Sequence, residues 1–268
     1  MQQFCYYESY FMFIRNRISI IIPYYRKKKY FQETIKSILN QTYKNYEVIV
    51  IYDDTSKSEL EFVKKTLKKI KIKKLIVNNK NYGVGLSRNR GILKARGTYI
   101  AFCDADDIWK RNKLDTQLKF MLKNNLEISH TNYFIINEKS KIVGKFNTSK
   151  KLNYTDLLKS CDIGLSTVIL KKKFFYNNKF SKLKTKEDYL LWLKITKKIQ
   201  FIYGLNQYLS SWRENKNSLS SSIIQKLLDA YRLYRLHLNY SFIFSTLFTL
   251  RLSFYAIIKK IKILVNNK

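Results

Sequence analysis

Two apolar runs in this sequence end in clusters of aspartate, and this arrangement limits the possible folds more than any other feature. The run Glu47–Tyr52 is followed by Asp53-Asp54, and the run Thr98–Cys103 is followed by Asp104-Ala105-Asp106-Asp107. Short apolar runs rich in β-branched residues are typical of buried strands. Because neighbouring carboxylates repel each other, a functional role is the simplest reason for keeping them together.

Helical patterns alternate with the strand-like runs in the first half of the chain. The order is a strand at 18–23, closed by proline, a helix at 30–40, a strand at 47–52, a helix at 58–70, a strand at 74–77, a helix at 85–96 and a strand at 98–103. This alternation predicts a doubly wound, Rossmann-like α/β sheet. Ligands of such sheets bind outside the carboxyl ends of the strands, so both acidic clusters are expected at one site.

The second half is less regular, and no internal repeat interrupts it. We predict strands at 129–137 and 165–170 and helices at 154–160 and 186–198. One proline and seven glycines in 268 residues leave little room for long linkers. The expected organisation is an N-terminal extension at 1–17, one domain at 18–222 and a helical tail at 223–268.

The formal net charge of +33 allows two interpretations. A strongly basic chain is typical of proteins that bind nucleic acid or an anionic membrane. However, the lysines are scattered among Ile, Asn, Tyr and Phe, which is also the composition that an AT-rich genome encodes. Cys5, Cys103 and Cys161 have no metal-ligand spacing, and their odd number fits a reducing cytoplasm.

Five segments, in order, resemble the bacterial family 2 glycosyltransferases, which have the GT-A fold. They are 18–25, 37–43, 47–56, 85–92 and 98–107, and the resemblance extends over about residues 18–220. It implies a mixed sheet and an inverting transfer of one sugar from a nucleotide-sugar donor, expected to be a UDP-sugar. The implied acceptor is a glycan or lipid-linked glycan in surface polysaccharide synthesis. The alternative is a basic protein that binds nucleic acid or membrane without catalysis, and the acidic clusters argue against it.

Asp104-Ala105-Asp106 matches the DxD motif of that family. By resemblance, Asp106 is a metal ligand, and Asp104 helps to hold the metal or the ribose of the donor. The implied cofactor is Mn²⁺ or Mg²⁺, which prefer hard oxygen ligands and offset charge on a leaving diphosphate. The alternative, a helix N-cap rich in aspartate, fits Asp107 but not the whole cluster.

Other positions match donor-binding elements of the family. Asp53 corresponds to the contact with the nucleotide base, and Pro23 closes the first strand at the same site. Arg88 and Asn89, in the first turn of a helix, are expected to meet phosphate, although a solvated helix face is the alternative. Arg213 belongs to a late loop, where contact with the diphosphate and a surface role are equally compatible with the sequence.

Glu187-Asp188 matches the ED motif, in which the second acid is the general base. Asp188 would remove the proton from the acceptor hydroxyl, which is a poor nucleophile on its own. The alternative is a helix start in which acids interact with the dipole. The chain lacks the Gln-x-x-Arg-Trp motif of processive synthases, so one transfer per encounter is expected.

The tail is apolar from Leu238 to Ile258, but Arg251 interrupts it, and Lys259, Lys260 and Lys262 follow. A central arginine costs roughly 2.5–3.5 kcal/mol on insertion scales, which argues against a transmembrane span. We favour a helix that lies on an anionic inner leaflet over a packed or dimerising helix. The expected location is the cytoplasm, peripheral to the inner face of the plasma membrane.

Overall fold

The first half of the chain forms a parallel sheet from the predicted apolar runs. The computed structural model describes residues 16–71, 73–215 and 222–265. Strands β1 (Ile18–Tyr24), β2 (Tyr46–Tyr52), β3 (Lys73–Val77) and β4 (Tyr99–Phe102) lie in the order β3-β2-β1-β4. Their pairings are all parallel. The acidic residues that follow β2 and β4 are therefore at the same edge of the sheet.

Helices cover both faces of this sheet, which explains why its central strands are apolar throughout. The helices are α1 (Lys28–Leu39), α2 (Lys57–Leu67) and α3 (Val84–Lys94). On one face, alternate residues such as Ile20 and Ile22 pack with α1 and α2. On the other face, Ile21 packs with Ile92 of α3. Successive side chains of a strand point to opposite faces, so each strand contributes to both cores.

The second half extends the same sheet with strands of both directions. It contains β5 (Ile108–Trp109), α4 (Lys113–Lys123), β6 (Ile128–Ile136), β7 (Ile142–Phe146), β8 (Lys151–Leu152), α5 (Tyr154–Lys159), β9 (Ile169–Lys171), α6 (Glu187–Thr196) and β10 (Ile202–Arg213). The main order is β3-β2-β1-β4-β9-β6-β10-β5. β9 is antiparallel to both β4 and β6. The expected mixed sheet is confirmed, whereas the strand predicted at 165–170 begins as a 3-10 turn over Leu165–Thr167.

The tail consists of α7 (Ile223–Arg232), a π-helical turn (Leu233–His237) and α8 (Phe242–Val265). Leu233 and Tyr234 are fully buried in the core that also contains α6. The carboxylate of Asp229 accepts hydrogen bonds from the backbone N–H and the hydroxyl of Thr185, at 2.8 and 3.1 Å. Packing is therefore continuous across the boundary predicted at residue 222.

Among the residues that the structure describes, one helix is long and apolar enough to cross a membrane, over Phe242–Lys259 of α8. The side chains of Lys260 and Lys262 lie outside the described part of the chain, as does most of the extension predicted at 1–17.

Candidate active site

The acidic turn after β4 is held from both sides by the second half of the chain. The backbone N–H of Asp104 donates to the hydroxyl of Ser166 at 3.0 Å. The carboxylate of Asp107 accepts from the backbone N–H of Arg213 at 3.0 Å. Burial raises the pKa of Asp107 well above its usual value, and the charges of Asp106 and Asp104 raise it further. Asp107 therefore supports the turn from inside the protein, while Asp104 is partly exposed and Asp106 is buried beside Lys27.

Arg88 of α3 connects this turn to the start of α6. Its guanidinium donates to Asp104 at 2.7 Å and to Glu187 at 2.5 Å, and it lies 5.4 Å from the centre of the Phe180 ring. Burial alone would lower the pKa of Arg88, but the two carboxylates raise it above its ordinary value. One buried cation thus brings two acidic motifs, 83 residues apart, into a single site.

Glu187 and Asp188 begin α6 directly after Lys186, whose left-handed backbone (φ 68°) turns the chain into the helix. Asp188 is half-buried, and its carboxylate accepts from the backbone N–H of Tyr189 at 2.7 Å. Burial raises the pKa of Asp188, against the charge of Arg88. The pKa of Glu187 is raised to about 7 by burial and by the neighbouring Asp188. A carboxylate with a raised pKa is a stronger base, as proton abstraction requires.

The oxygens of Asp104 and Asp106 fit a divalent cation that is completed by a substrate. One oxygen of Asp104 pairs with Arg88, and one oxygen of Asp106 pairs with the ammonium of Lys27 at 2.5 Å. Each carboxylate keeps a second, hard oxygen. No group of three or more His, Cys, Asp or Glu residues suited to a metal occurs in the described part of the chain. Mg²⁺ in such sites commonly takes one or two carboxylates together with phosphates and water, so the donor set fits.

The side chain of Asp53 is buried, and its carboxylate makes hydrogen bonds within the protein. Its carboxylate accepts from Asn78 at 2.6 Å and from the backbone N–H groups of Tyr82 and Gly83, both at 2.8 Å. These bonds fix the turn that leads into α3, where Gly83 has a positive φ of 87°. The base contact expected of Asp53 stays a prediction. Its neighbour Asp54 is also buried, but one of its oxygens has no hydrogen bond and lies 3.4 Å from the exposed Arg26.

Two residues expected to bind the donor make hydrogen bonds within the protein. The carboxamide of Asn89 both donates to and accepts from the backbone of Phe180, at 2.9 Å in each direction. It therefore fastens α3 to the loop before α6. The phosphate contact expected of Asn89 stays a prediction, and it would require this carboxamide to leave Phe180.

Arg213 also contacts the protein itself, and the diphosphate contact expected of it stays a prediction. Its side chain is fully buried, and its guanidinium donates to the carbonyls of Asp106 and Asn137, at 2.9 and 3.0 Å. It also pairs with Glu33 at 2.7 Å. These contacts tie the acidic turn to α1 and β6, so contact with a diphosphate would require the guanidinium to leave its partners. The remainder of the predicted late loop, Asn217–Ser220, lies outside the described residues.

Pro23 lies near the end of β1, and the donor contact expected of it stays a prediction. It pairs in register with Ile51 near the carboxyl end of the sheet. The next residue, Tyr24, accepts the backbone N–H of Asp53 at 2.9 Å. Sequence reasoning did not give Lys27, Asp54, Ser166 or Glu187 a role of its own in the site. A signal existed only for Asp54 and Glu187, since each is adjacent to an acid that was chosen.

Comparison with known proteins identifies the family. The model of the family described as "Glycosyl transferase family 2" matches residues 19–183. This chain belongs to glycosyl transferase family 2. WfgD of Escherichia coli is 40% identical to this chain over 217 residues, which cover 78% of this chain and 82% of WfgD. TuaG of Bacillus subtilis is 31% identical over 76% of this chain and 82% of its own length.

Solved structures confirm the GT-A fold of this glycosyltransferase. S. aureus TarS (residues 1–349), in complex with UDP-GlcNAc, superposes with a TM-score of 0.68 and 22% identity, over 82% of this chain. The matched part is 65% of that TarS chain, just under two thirds of its length. The mannosyltransferase PcManGT from Pyrobaculum calidifontis, in complex with GDP-Man and Mn²⁺, has a TM-score of 0.65 and 13% identity, covering 89% of this chain and 72% of its own.

Proposed function

We propose that this glycosyltransferase transfers one sugar, with inversion, from a UDP-sugar to a lipid-linked glycan in the synthesis of a surface polysaccharide. The observation that carries the proposal is the double contact of Arg88 with Asp104 and Glu187. Through this single side chain, the predicted donor motif is connected to Glu187, the residue next to the predicted base Asp188. The named relatives support the substrate classes. WfgD is described as a UDP-Glc:alpha-D-GlcNAc-diphosphoundecaprenol beta-1,3-glucosyltransferase, and TuaG as a putative teichuronic acid biosynthesis glycosyltransferase.

The donor side of the site would use Asp104 and Asp106 to hold Mn²⁺ or Mg²⁺ together with the diphosphate. A bound cation of this kind offsets the negative charge that develops on the departing nucleoside diphosphate. The ammonium of Lys27 pairs with the carboxylate of Asp106, and this contact must be at least partly lost when the donor binds. Pro23 and Asp53 would shape the nucleotide end of the site. Asp54 is the better candidate for a direct contact with the base, because Arg26 covers it and is exposed enough to move aside.

The acceptor side would use Asp188 as the general base. Its carboxylate takes the proton of the acceptor hydroxyl as that oxygen bonds to the anomeric carbon. The bond from that carbon to the β-phosphate oxygen breaks on the opposite face, so the configuration inverts. A positioned base of this kind contributes about 10²–10⁴ to the rate. The role of Arg88 is to fix the orientation of two carboxylates, those of Asp104 and of Glu187, which precedes Asp188.

An acceptor that is linked to a lipid requires the enzyme to act at a membrane surface. We therefore propose a cytoplasmic enzyme, peripheral to the inner face of the plasma membrane, with no nucleic acid as a partner. The high net charge of +33 suits an anionic leaflet, and a site built from carboxylates does not suit a polyanion.

Donor binding tests the proposal directly. UDP-sugars with Mn²⁺ should raise the melting temperature of the protein, since a ligand of the native state stabilises it. EDTA should abolish the shift, and Asp106→Asn should remove it while leaving the fold intact by circular dichroism. Asp115→Asn, an acid on the surface of α4, is the matched control and should behave as wild type. Full transfer in EDTA would refute the metal-dependent part, and stabilisation by GDP-sugars alone would refute the choice of UDP.

A further inference from the structure

One side of helix α8 exposes large apolar side chains on the surface of the protein. Six large apolar residues, each more than half exposed, recur at spacings of three and four along it. They are Ile243, Leu247, Leu250, Phe254, Ile257 and Ile261, and we call this set the outer face of α8. A surface helix of a globular protein in water normally turns such a stripe toward the core.

The side of α8 that meets the protein carries Leu252 and Phe248, which pack into the core, together with polar and charged groups. Ser245 and Thr249 are buried there, while Arg251 donates to the carbonyl of Leu158 at 3.0 Å. Lys259 donates to the carbonyl of Cys161 at 3.2 Å. The helix therefore directs Arg251 and Lys259 to protein carbonyls and most of its large apolar groups outward. This distribution is stable if the outward side faces a hydrocarbon medium, and costly if it faces water.

A second apolar surface continues from this one. On α7, Ile223 and Ile224 are each more than 70% exposed, and Leu227 and Leu228 follow one turn later. The ring of Tyr231, on the same side of α7, lies 6.2 Å from that of Phe242 at the start of α8. The exposed faces of the two helices therefore meet.

We propose that α7 and the outer face of α8 form a membrane-docking surface that lies flat in the headgroup region of an anionic bilayer. This inference deepens, and rests on, the peripheral location proposed above. The amphipathic form is that of interfacial helices, which bury an apolar face at the boundary of the acyl chains. Arg232 at the end of α7 pairs with Asp229 at 3.4 Å but keeps a half-exposed side chain, and the chain has a net charge of +33, so positive charge is available to anionic headgroups.

Two other occupants fit less well. A second copy of this chain carries the same charge of +33, so close approach of two such surfaces is opposed by repulsion. A transmembrane position would require α8 to leave the domain, yet Arg251, near its middle, and Lys259, about two turns further on, are bonded to Leu158 and Cys161. A helix fixed in this way lies along the protein and not away from it.

Flotation with vesicles tests the inference on the full chain. Vesicles of phosphatidylglycerol and phosphatidylcholine should carry the wild-type protein upward at low salt, and 0.5 M NaCl should release part of it, since only the ionic share is screened. Replacement of Ile243, Leu250 and Ile257 by serine should reduce the bound fraction at least tenfold. The control replaces Leu93, Leu122 and Ile142 by serine. These apolar residues are also exposed but lie outside α7 and α8, and their loss should change little.

Stabilisation by UDP with Mn²⁺ separates this inference from the proposed function, because it reports the donor site without any vesicle. A variant that keeps this stabilisation and loses flotation supports the docking surface. Equal flotation of both triple variants would overturn it. So would a wild-type protein that sediments as a dimer without vesicles and becomes a monomer in the α8 variant, or one that resists both salt and alkaline extraction as a spanning helix does.

Discussion

Replacement of Arg213 distinguishes a structural role of this buried residue from the donor contact expected of it. Replacement by alanine removes the guanidinium from the carbonyls of Asp106 and Asn137. Each buried carbonyl that loses its donor costs about 1 kcal/mol. Loss of the contact with the ring of Tyr30, at 4.4 Å, adds about 0.5–1 kcal/mol. The pair with Glu33 adds little, because that carboxylate is 43% exposed and water replaces the partner.

We therefore expect Arg213→Ala to lower the free energy of unfolding by about 3 kcal/mol. For a domain of this size that corresponds to roughly 6–12 °C in melting temperature. Differential scanning calorimetry measures the change, and Arg111→Ala, an exposed arginine near the same turn, is the control and should melt as wild type. A variant that melts normally but needs more UDP-sugar for half-maximal rate would refute the reasoning and restore the diphosphate contact.

Three further predictions concern the base, its neighbour and the tail. Asp188→Asn should lower kcat by about 10²–10⁴ and leave the affinity for the donor unchanged in a binding titration; turnover that survives while donor binding is lost would show that the role is misassigned. Glu187 has a pKa near 7 when folded and an ordinary value of 4.5, so the folded state holds its proton over that interval and the free energy of unfolding should fall as pH rises through it. Glu187→Gln should lack that part of the fall in urea titrations from pH 4.5 to 7, and an unchanged slope would contradict the assignment. Ending the chain at residue 222 should leave a protein without a cooperative melting transition, because Leu233 and Tyr234 are missing from the core; a truncated protein that melts near the wild-type temperature would show that the tail is separable.

The fold was predictable where local pattern and burial coincide. Strands β1, β2 and β4 are buried on both faces, so their sequences are apolar without interruption, and the acids that end them stand out. Strand β10 gave no such signal. It is buried mainly at its two ends, and its middle is polar and partly exposed, so neither alternation nor an apolar run reveals it.

The candidate site was predictable only as far as its acids are contiguous in sequence. Motif order located Asp104, Asp106 and Asp188, but the partners of Arg213 are up to 180 residues away. The same holds for Arg88, whose pairing with Glu187 spans 99 residues. Whether an arginine meets a ligand or an internal carbonyl depends on such long-range packing, which no local pattern records.

The contact of Asp229 with Thr185 has a consequence for protein engineering. Thr185 lies two residues before Glu187. Its backbone N–H and its hydroxyl both donate hydrogen bonds to the carboxylate of Asp229 in α7. The start of α6, which carries the proposed base, is thus positioned by α7. A chimaera that exchanges α8 between relatives should therefore be joined in the short connection after the π-helical turn, near Asn239, and not before α7. Joined there, each partner retains its own Asp229 equivalent, and the exchange alters where the enzyme binds without disturbing how its base is held.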